Sequence, residues 1–240
     1  MKVAMMQPTF LPWLGYFELI RKADRFIFLD DFQFSVQSFH QRNRLFINRD
    51  QVGWYTVPIK KSNSFGVCIN KAEFDDTKNW RKKLINRLQQ NYSKTPYFGD
   101  IFPNISEIIN EDLSNLSALN IKLIKEVVKF MEWDVEWKLS SDLPTDTTRS
   151  ERVLELLRWC NASQYYSPLG SMEYMKEDDI FPVSGLEILF QRFHTESYTQ
   201  QNSTHGFIHS LSVLDPLFNV GPEETARLIM NNKNSWELFR

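Results

Sequence analysis

Asp30 and Asp31 are the carboxylates of this chain best placed to act on a small molecule. They follow residues 26–29, a short and wholly apolar run that is typical of a buried strand. Because adjacent side chains of an extended chain point to opposite faces, we expect only one of the two to face a ligand. The aspartate that enters the crevice could hydrogen-bond a ribose, orient a base or hold a cation. Asp31 is the catalytic candidate and Asp30 a substrate-binding candidate, and both would orient the ligand. Capping of nearby backbone N–H groups is the structural alternative.

Cationic and amide side chains form a second group of candidates. The Arg44 guanidinium can bind phosphate in a bidentate manner, and the Lys60 ammonium can bind it as a point charge. Asn43 adds an uncharged amide to this group. His40 is the titratable group nearest to this cluster, so it is a candidate general base. A solvated basic face is the simpler explanation of the same charges.

The turn of residues 8–16 separates a first apolar run, residues 1–6, from a segment with helical spacing. A helix that begins after such a turn has free amide hydrogens, which favour an anion. Gly15 would let a ligand approach the backbone closely. The substrate-binding candidates here are Gln7, Phe10, Trp13, Gly15 and Tyr16. A turn that simply packs aromatic side chains is the alternative.

A second turn repeats the pattern at residues 167–174, between a short strand and a short helix. Its candidates for binding phosphate, a carboxylate or sugar hydroxyls are Ser167, Gly170, Glu173 and Tyr174. Helix capping alone is the alternative. We expect the two turns to meet at a common rim and to present amide hydrogens to a negatively charged small molecule.

Two candidates lie outside these groups. Gln33 follows the aspartates closely and is assigned to substrate binding. His205 belongs to a polar loop, residues 199–209, in which Gly206 would act as the hinge of a lid. His205 is therefore the second histidine considered for proton transfer.

Short apolar strands that alternate with helices predict an α/β fold, with a mainly parallel sheet flanked by helices in a Rossmann-like layout. In such a sheet the ligand crevice lies beyond the carboxyl ends of the strands. We expect a hairpin within residues 45–59 and a helical subdomain. The predicted division is an α/β core of residues 1–75 and 132–221, a helical subdomain of residues 76–131 and a C-terminal helix of residues 222–240.

Composition narrows the functional classes. The formal net charge is −2, which gives no general attraction to nucleic acid or to an anionic membrane. The two cysteines form no C-x-x-C pair, and no apolar run reaches the length of a transmembrane segment, so we expect a cytoplasmic protein. Metal-ligand spacings and G-x-S-x-G are missing, so we expect no metal site, and Mg²⁺ only where a phosphate ligand brings it. A homo-oligomer stays open.

The first turn resembles that of the nucleotidylyltransferase superfamily, pantothenate synthetases in particular. Pro8-Thr9 and Gln33-Phe34 stand at places comparable to theirs. Trp13 and Tyr16 occupy the places of the two histidines of the superfamily's H-x-G-H motif. The resemblance therefore implies the anion-binding architecture without the imidazole contacts to a transferring phosphate.

Over nearly its full length the chain resembles the WbqC-like family. The resemblance is carried by QPTFLPWLGYF at residues 7–17, DDFQF at residues 30–34, PIKK at residues 58–61, SPLG at residues 167–170 and LSVLD at residues 211–215, together with Asn43-Arg44. It implies a role in the biosynthesis of O-antigen, the outer polysaccharide of lipopolysaccharide.

We therefore expect a transferase that moves an acyl or aminoacyl group onto a nucleotide-linked amino sugar, with a nucleotide or nucleotide-sugar as its small-molecule partner. Two alternatives stay open. One is nucleotidyl transfer to a sugar phosphate or a carboxylate. The other is a non-catalytic partner of a glycosyltransferase complex, for which a 14% share of aromatic residues is the support.

Overall fold

The computed structural model describes residues 1–63, 66–231 and 233–239. Within these residues it has eight strands and seven α-helices. The strands are β1 (Lys2–Met6), β2 (Arg25–Phe28), β3 (Arg42–Asn48), β4 (Gln51–Thr56), β5 (Glu136–Leu139), β6 (Gln164–Pro168), β7 (Glu187–Arg192) and β8 (Ser235–Leu238). The helices are α1 (Leu14–Lys22), α2 (Trp80–Tyr92), α3 (Phe98–Asn110), α4 (Leu116–Phe130), α5 (Arg149–Trp159), α6 (Met172–Glu177) and α7 (Leu214–Ile229).

Six of the strands form one sheet in the order β5-β2-β1-β6-β7-β8. The first five of these are parallel, and β8 pairs with β7 in the antiparallel direction. The remaining two strands, β3 and β4, form a separate antiparallel hairpin. This confirms the predicted α/β class and its mainly parallel sheet.

Both faces of the sheet are covered, which explains why its strands are apolar throughout. Phe26 and Phe28 face a large cluster that includes the buried side of α1, whereas Ile27 faces a second cluster formed with α5 and α6. Phe28 stacks on Trp137 of the neighbouring strand, with ring centroids 5.3 Å apart. Successive side chains of one strand thus pack alternately into the two hydrophobic clusters.

The chain between β2 and β5 carries the hairpin and helices α2, α3 and α4. Their buried side chains belong to the same cluster as those of α1 and one face of the sheet. Asn115 starts α4 by accepting a hydrogen bond from the Ala118 N–H at 2.9 Å. These helices thus share a core with one face of the sheet. The division of the chain into an α/β core and a helical subdomain of residues 76–131 stays a prediction.

The C-terminal segment, residues 222–240, was predicted as one helix, and the structure has the end of α7 followed by β8. Helix geometry is interrupted at Gly221, whose φ of 82° is left-handed and whose missing Cβ makes room for the Tyr97 ring. The helix ends at Ile229, and β8 follows because it pairs with β7 and because the Trp236 ring packs on Tyr166 at 4.8 Å. Positions 232 and 240 lie outside the described residues.

The strand order creates a topological switch point between β1 and β6. From β1 the chain runs outward to β2 and β5 in one direction, and it then crosses to β6 and β7 on the other side of β1. Connections therefore leave the carboxyl ends of β1 and β6 toward opposite faces of the sheet, and a crevice opens between them. None of the helices described is both long and apolar enough to span a bilayer.

Candidate functional site

An open cleft of about 880 Å³ lies at this switch point. It is bounded by the carboxyl ends of β1, β2 and β6 and by the segment between β5 and α5. Its lining residues are Met5, Met6, Gln7, Leu29, Asp31, Phe32, Gln33, Thr145, Asp146, Thr147, Thr148, Arg149, Arg152, Tyr165, Pro168, Gly170, Ser171 and Tyr174. Of the residues predicted from sequence, the cleft brings together Gln7, Asp31, Gln33, Gly170 and Tyr174.

The Asp31 carboxylate is held at the floor of this cleft by two elements that come from distant parts of the chain. Ser140, directly after β5, donates its hydroxyl to Asp31. Arg152, on α5, donates from Nη2 to Asp31 at 3.2 Å and to the Ser140 carbonyl at 2.6 Å. The Arg152 side chain is 4% exposed and that of Asp31 is 30% exposed. Asp31 therefore has oriented partners on one side and the cleft on the other.

Asp30 is used differently from its neighbour, as an anchor between loops. It is 4% exposed and is not part of the cleft wall. Its carboxylate accepts hydrogen bonds from the Ser141 hydroxyl at 2.7 Å, from the Ser141 N–H at 3.1 Å and from the Asn70 amide at 3.1 Å. A carboxylate with this many donors serves to position the segment after β5 rather than to contact a ligand.

The wall that follows β6 is formed by hydroxyl-bearing residues. Ser167 is buried and exchanges a hydrogen bond with the Ser171 hydroxyl at 2.5 Å, which also donates to the Pro168 carbonyl at 2.7 Å. Ser167 thus lies behind the wall and supports the turn, and Ser171 lines the cleft. Burial raises the pKa of the Tyr165 and Tyr174 hydroxyls, so both present neutral O–H groups to the cleft.

Arg149 lies at the mouth of the cleft, where α5 begins. It pairs with Asp178 at 2.9 Å and with Glu177 at 3.4 Å, and its side chain is 58% exposed. The Asp178 side chain is only 16% exposed and receives Arg149 through both Nη2 and Nε, whereas the Glu177 contact lies at the surface and is the weaker of the two. Arg149 is thus the cation of this site with the greatest freedom to meet a phosphate.

Gln7 lines the cleft at the end of β1 and is hydrogen-bonded to His40 behind it. The Gln7 Oε1 and His40 Nε2 atoms are 3.1 Å apart, and His40 Nδ1 accepts the Ser35 N–H at 3.2 Å. Burial lowers the pKa of His40 from 6.5 to about 4. Both ring nitrogens are therefore occupied, and His40 lies behind the cleft wall rather than in it.

Beyond Gln7, the first turn lies in the core and not on a rim. Phe10 is fully buried and Tyr16 is 2% exposed, with its hydroxyl on the Gln7 carbonyl at 3.1 Å. The space that Gly15 leaves is filled by the Trp13 ring, and the Gly15 carbonyl accepts a hydrogen bond from Gln191 at 2.7 Å. Phe10, Trp13, Gly15 and Tyr16 thus lie outside the cleft lining, and aromatic rings occupy the place expected for the anion.

The hairpin group is also placed away from the cleft. Asn43 is 1% exposed and donates to the Phe10 carbonyl at 3.2 Å and to the Leu11 carbonyl at 2.6 Å, which secures the left-handed Leu11. Arg44 donates to the His209 carbonyl at 3.2 Å. Lys60 pairs with Glu73 at 2.6 Å on the surface. The hairpin packs over the turn, so its cations point away from the crevice.

His205 and Glu173 also lie away from the cleft lining. The His205 imidazole is 87% exposed and lies 3.9 Å from Asp50, at the tip of the hairpin. Thr204 donates its hydroxyl to Asp50 at 2.6 Å, so the loop of residues 199–209 is tied to the hairpin and does not form a lid over the cleft. Glu173 is exposed and lies outside the cleft wall.

Arg152 is the main residue that sequence reasoning missed. It lies four residues before Leu156 and eight before Cys160, on the apolar side of α5. A cation on the buried face of an amphipathic helix requires a partner, and that signal was available from spacing alone. Ser140 offered no comparable signal, because its contact with Asp31 joins positions 109 residues apart.

No cluster of three or more histidine, cysteine, aspartate or glutamate side chains suited to a metal ion occurs among the described residues. The groups able to hold a ligand are instead the Asp31 carboxylate, the Arg149 guanidinium, the Gln7 amide and the tyrosine hydroxyls. Phe32 adds an aromatic surface to the same wall. The site therefore combines a carboxylate, an accessible cation and neutral donors with apolar lining residues.

The family model of the WbqC-like protein family matches residues 7–227. The chain belongs to the WbqC-like protein family. The match begins at Gln7 and includes both turns and the whole of the cleft wall from there onward. Membership in the WbqC-like family is thus shown for the part of the chain that builds the site.

A relative of known sequence is the uncharacterised protein Rv1507c of Mycobacterium tuberculosis (strain ATCC 25618 / H37Rv). The two chains are 30% identical over 224 residues, which is 92% of this chain and 95% of the relative. No solved structure matches this WbqC-like chain. The family resemblance is therefore full-length, and the geometry of the cleft carries the argument about chemistry.

Proposed function

We propose that this WbqC-like protein is a transferase of bacterial surface-polysaccharide biosynthesis that moves an acyl or aminoacyl group onto the amine of a nucleotide-linked sugar. The carrying observation is the Asp31 carboxylate, oriented by Arg152 and open to a cleft at the switch point of the sheet. A volume of about 880 Å³ is at the upper end of the roughly 300–1,000 Å³ of small-molecule sites. It suits a substrate as large as a nucleotide-linked sugar.

The cleft lining offers complementary groups to the different parts of such a substrate. Arg149 at the mouth would exchange its exposed partner Glu177 for the diphosphate. Phe32 offers a face on which a nucleobase can stack. The amino sugar would then lie toward Asp31, at the floor.

The proposed chemistry needs a proton acceptor and a fixed geometry. The sugar nitrogen attacks the carbonyl carbon of an activated acyl donor, a C–N bond forms, and the bond from the carbonyl to the leaving group breaks. The nitrogen releases its proton to Asp31, while Arg152 and Ser140 hold the carboxylate in place. Proximity of the two bound reactants supplies the remaining acceleration.

Nucleotidyl transfer is less well supported. The turn in which that superfamily places its phosphate contacts is filled here by Phe10 and Tyr16, both buried. A non-catalytic scaffold is also less well supported, because most of the aromatic side chains lie in the core, with Phe39 and Trp54 among the exposed ones. Release of pyrophosphate from a nucleoside triphosphate would favour the first alternative over the transferase.

The test is incubation with a panel of nucleotide-linked amino sugars and activated acyl or aminoacyl donors, followed by mass spectrometry of the sugar product. Asp31→Asn is expected to lower turnover about 10²- to 10⁴-fold, the usual contribution of a general base. The control is Asp134→Asn, the same change at an exposed position on the N-terminal side of β5. Full turnover by Asp31→Asn, or no binding of any nucleotide-linked sugar, would overturn the proposal.

A further inference from the structure

The amide of Gln7 lies in the wall of the cleft, and its orientation follows from contacts behind the wall. Gln7 comes directly after β1, beside the switch point, and the proposed substrate passes in front of it. An amide presents an acceptor on one side and a two-proton donor on the other. Which side faces the ligand decides what the ligand must offer.

The tautomer of His40 is determined by a backbone group. The Ser35 N–H donates to His40 Nδ1 at 3.2 Å, and a backbone N–H cannot act as an acceptor. A neutral His40 ring therefore carries its proton on Nε2. The partner of Nε2 at 3.1 Å must be the oxygen of Gln7, because the amide nitrogen would bring two donors together.

His40 itself is held by the element packed behind it. The Asn120 amide, on α4 and fully buried, donates to the His40 carbonyl at 2.8 Å and to the Pro8 carbonyl at 2.9 Å. His40 is 6% exposed, and its backbone N–H donates to the Ser38 hydroxyl at 3.2 Å. The ring is thus fixed at its backbone and at both nitrogens.

We infer that His40 is a positioning residue that locks the Gln7 amide with its oxygen turned inward and its NH₂ group turned toward the cleft. Among the described residues the Gln7 NH₂ group has no other hydrogen-bond partner. The inference rests on the proposed function for its ligand: a substrate oxygen, such as a sugar hydroxyl or the carbonyl of the acyl donor, would accept from Gln7. Asp31 would accept the proton of the substrate amine. Gln7 and Asp31 together would therefore select a substrate that carries an amine close to an oxygen able to accept a hydrogen bond.

The ligand-free test is ¹⁵N–¹H NMR of the imidazole and of the glutamine side-chain amides at neutral pH. We expect the Nε2–H tautomer for the signal that disappears in His40→Gln. We also expect a restrained Gln7 NH₂ pair that becomes mobile in His40→Leu. An Nδ1–H tautomer, or Gln7 signals unaffected by His40→Leu, would overturn the inference whether or not any ligand binds. If His40→Leu fails to fold, His40→Gln takes its place in the amide measurement.

The binding test is a double-mutant cycle with UDP-glucosamine as the probe, measured by calorimetry. Loss of one neutral hydrogen bond predicts a 3- to 10-fold weaker affinity, roughly, for His40→Leu and for Gln7→Ala. The double variant should bind no more weakly than Gln7→Ala alone, since His40 acts through Gln7. Additive losses would contradict positioning. Absence of binding of UDP-glucosamine and of every other nucleotide-linked sugar of the panel to the unmodified protein would overturn the proposed function, while the NMR result would still decide the inference.

Discussion

Two segments leave the same carboxyl edge of the sheet and are used in opposite ways. Residues 8–16, after β1, contain the most distinctive sequence of the chain, yet the fully buried Phe10 and the nearly buried Tyr16 make this turn part of the core. Residues 140–152, after β5, look ordinary, yet they supply Ser140 and Arg152 to the carboxylate that faces the cleft. An unusual motif can therefore be the support of a site whose working groups come from a plainer segment.

The physical reason lies in the side chains that each segment carries. The turn after β1 is rich in aromatic and aliphatic side chains, whose burial gives the larger gain, and the hairpin covers it from outside. Asn43 satisfies the carbonyls of Phe10 and Leu11 that this burial would leave without donors. The segment after β5 is rich in serine and threonine and keeps its polar groups at the cleft.

The largest effect is expected from the buried turn. Phe10→Ala should lower the free energy of unfolding by about 3–5 kcal/mol, because it leaves a cavity in the core. Urea denaturation measures it. The matched control is Phe39→Ala, at a ring that is 52% exposed, which should cost well under half as much. Equal losses would mean that the turn is not the core element described above.

The pH dependence of stability sharpens the same contrast, because two buried groups near the turn have opposite signs. Burial lowers the pKa of His40 from 6.5 to about 4, so the folded state holds fewer protons there and stability falls as pH drops through this window. Burial raises the pKa of Asp215 from 3.8 to about 6, so stability falls as pH rises through that window. The two contributions oppose each other in the unmodified protein.

Single variants should separate them. Relative to the unmodified protein, His40→Gln should gain about 3 kcal/mol in unfolding free energy between pH 7 and pH 4. Asp215→Asn should gain about as much in the other direction, from pH 4 to pH 7. Urea denaturation across this range is the measurement. Curves parallel to that of the unmodified protein would show that neither group titrates in these windows.

An intermediate effect is expected from the plainer segment. Arg152→Met removes the donor shared by Asp31 and Ser140 and should cost about 2–3 kcal/mol in unfolding free energy. Affinity for a nucleotide-linked amino sugar should also fall about 10-fold or more, because the variant leaves the Asp31 carboxylate without its Arg152 donor in the site. Arg158→Met, at an exposed position on the same helix, is the control for both measurements. If the two variants behave alike, the segment after β5 does not build the site.

The smallest effect is expected from Lys60, a basic residue that follows the hairpin. Lys60 and its partner Glu73 are each 52% exposed, and such pairs contribute little. Lys60→Ala should leave both the melting temperature and the affinity for a nucleotide-linked sugar unchanged. A clear loss of affinity would return the hairpin cations to the site and blur the contrast between the two segments.

Several features of the site were accessible from local sequence. The apolar run before Asp30 predicted a buried strand, and β2 is one. Alternation along an extended chain predicted that one aspartate faces the cleft and the other does not, and the structure has Asp31 in the wall and Asp30 buried. Local pattern succeeds here because period and face depend only on backbone geometry.

Other features depended on contacts between distant residues. Nothing in the sequence around Gly15 shows that the Trp13 ring fills the space above it. The end of the chain was predicted as a helix, yet β8 forms because the edge of β7 accepts a strand there. Lys60 looked like a ligand for phosphate, and its direction is decided by how the hairpin packs.

By itself the sequence determined the alternation of strands and helices, the two apolar faces of the sheet and the edge at which a ligand would bind, since these follow from side-chain period and chain direction. Only the tertiary structure decided which polar groups reach that edge. Arg152 meets Asp31 across 121 positions of the chain, and the hairpin turns its own cations outward. The reason is that burial of aromatic rings and pairing of buried charges both depend on contacts between distant segments, which form only when the chain packs.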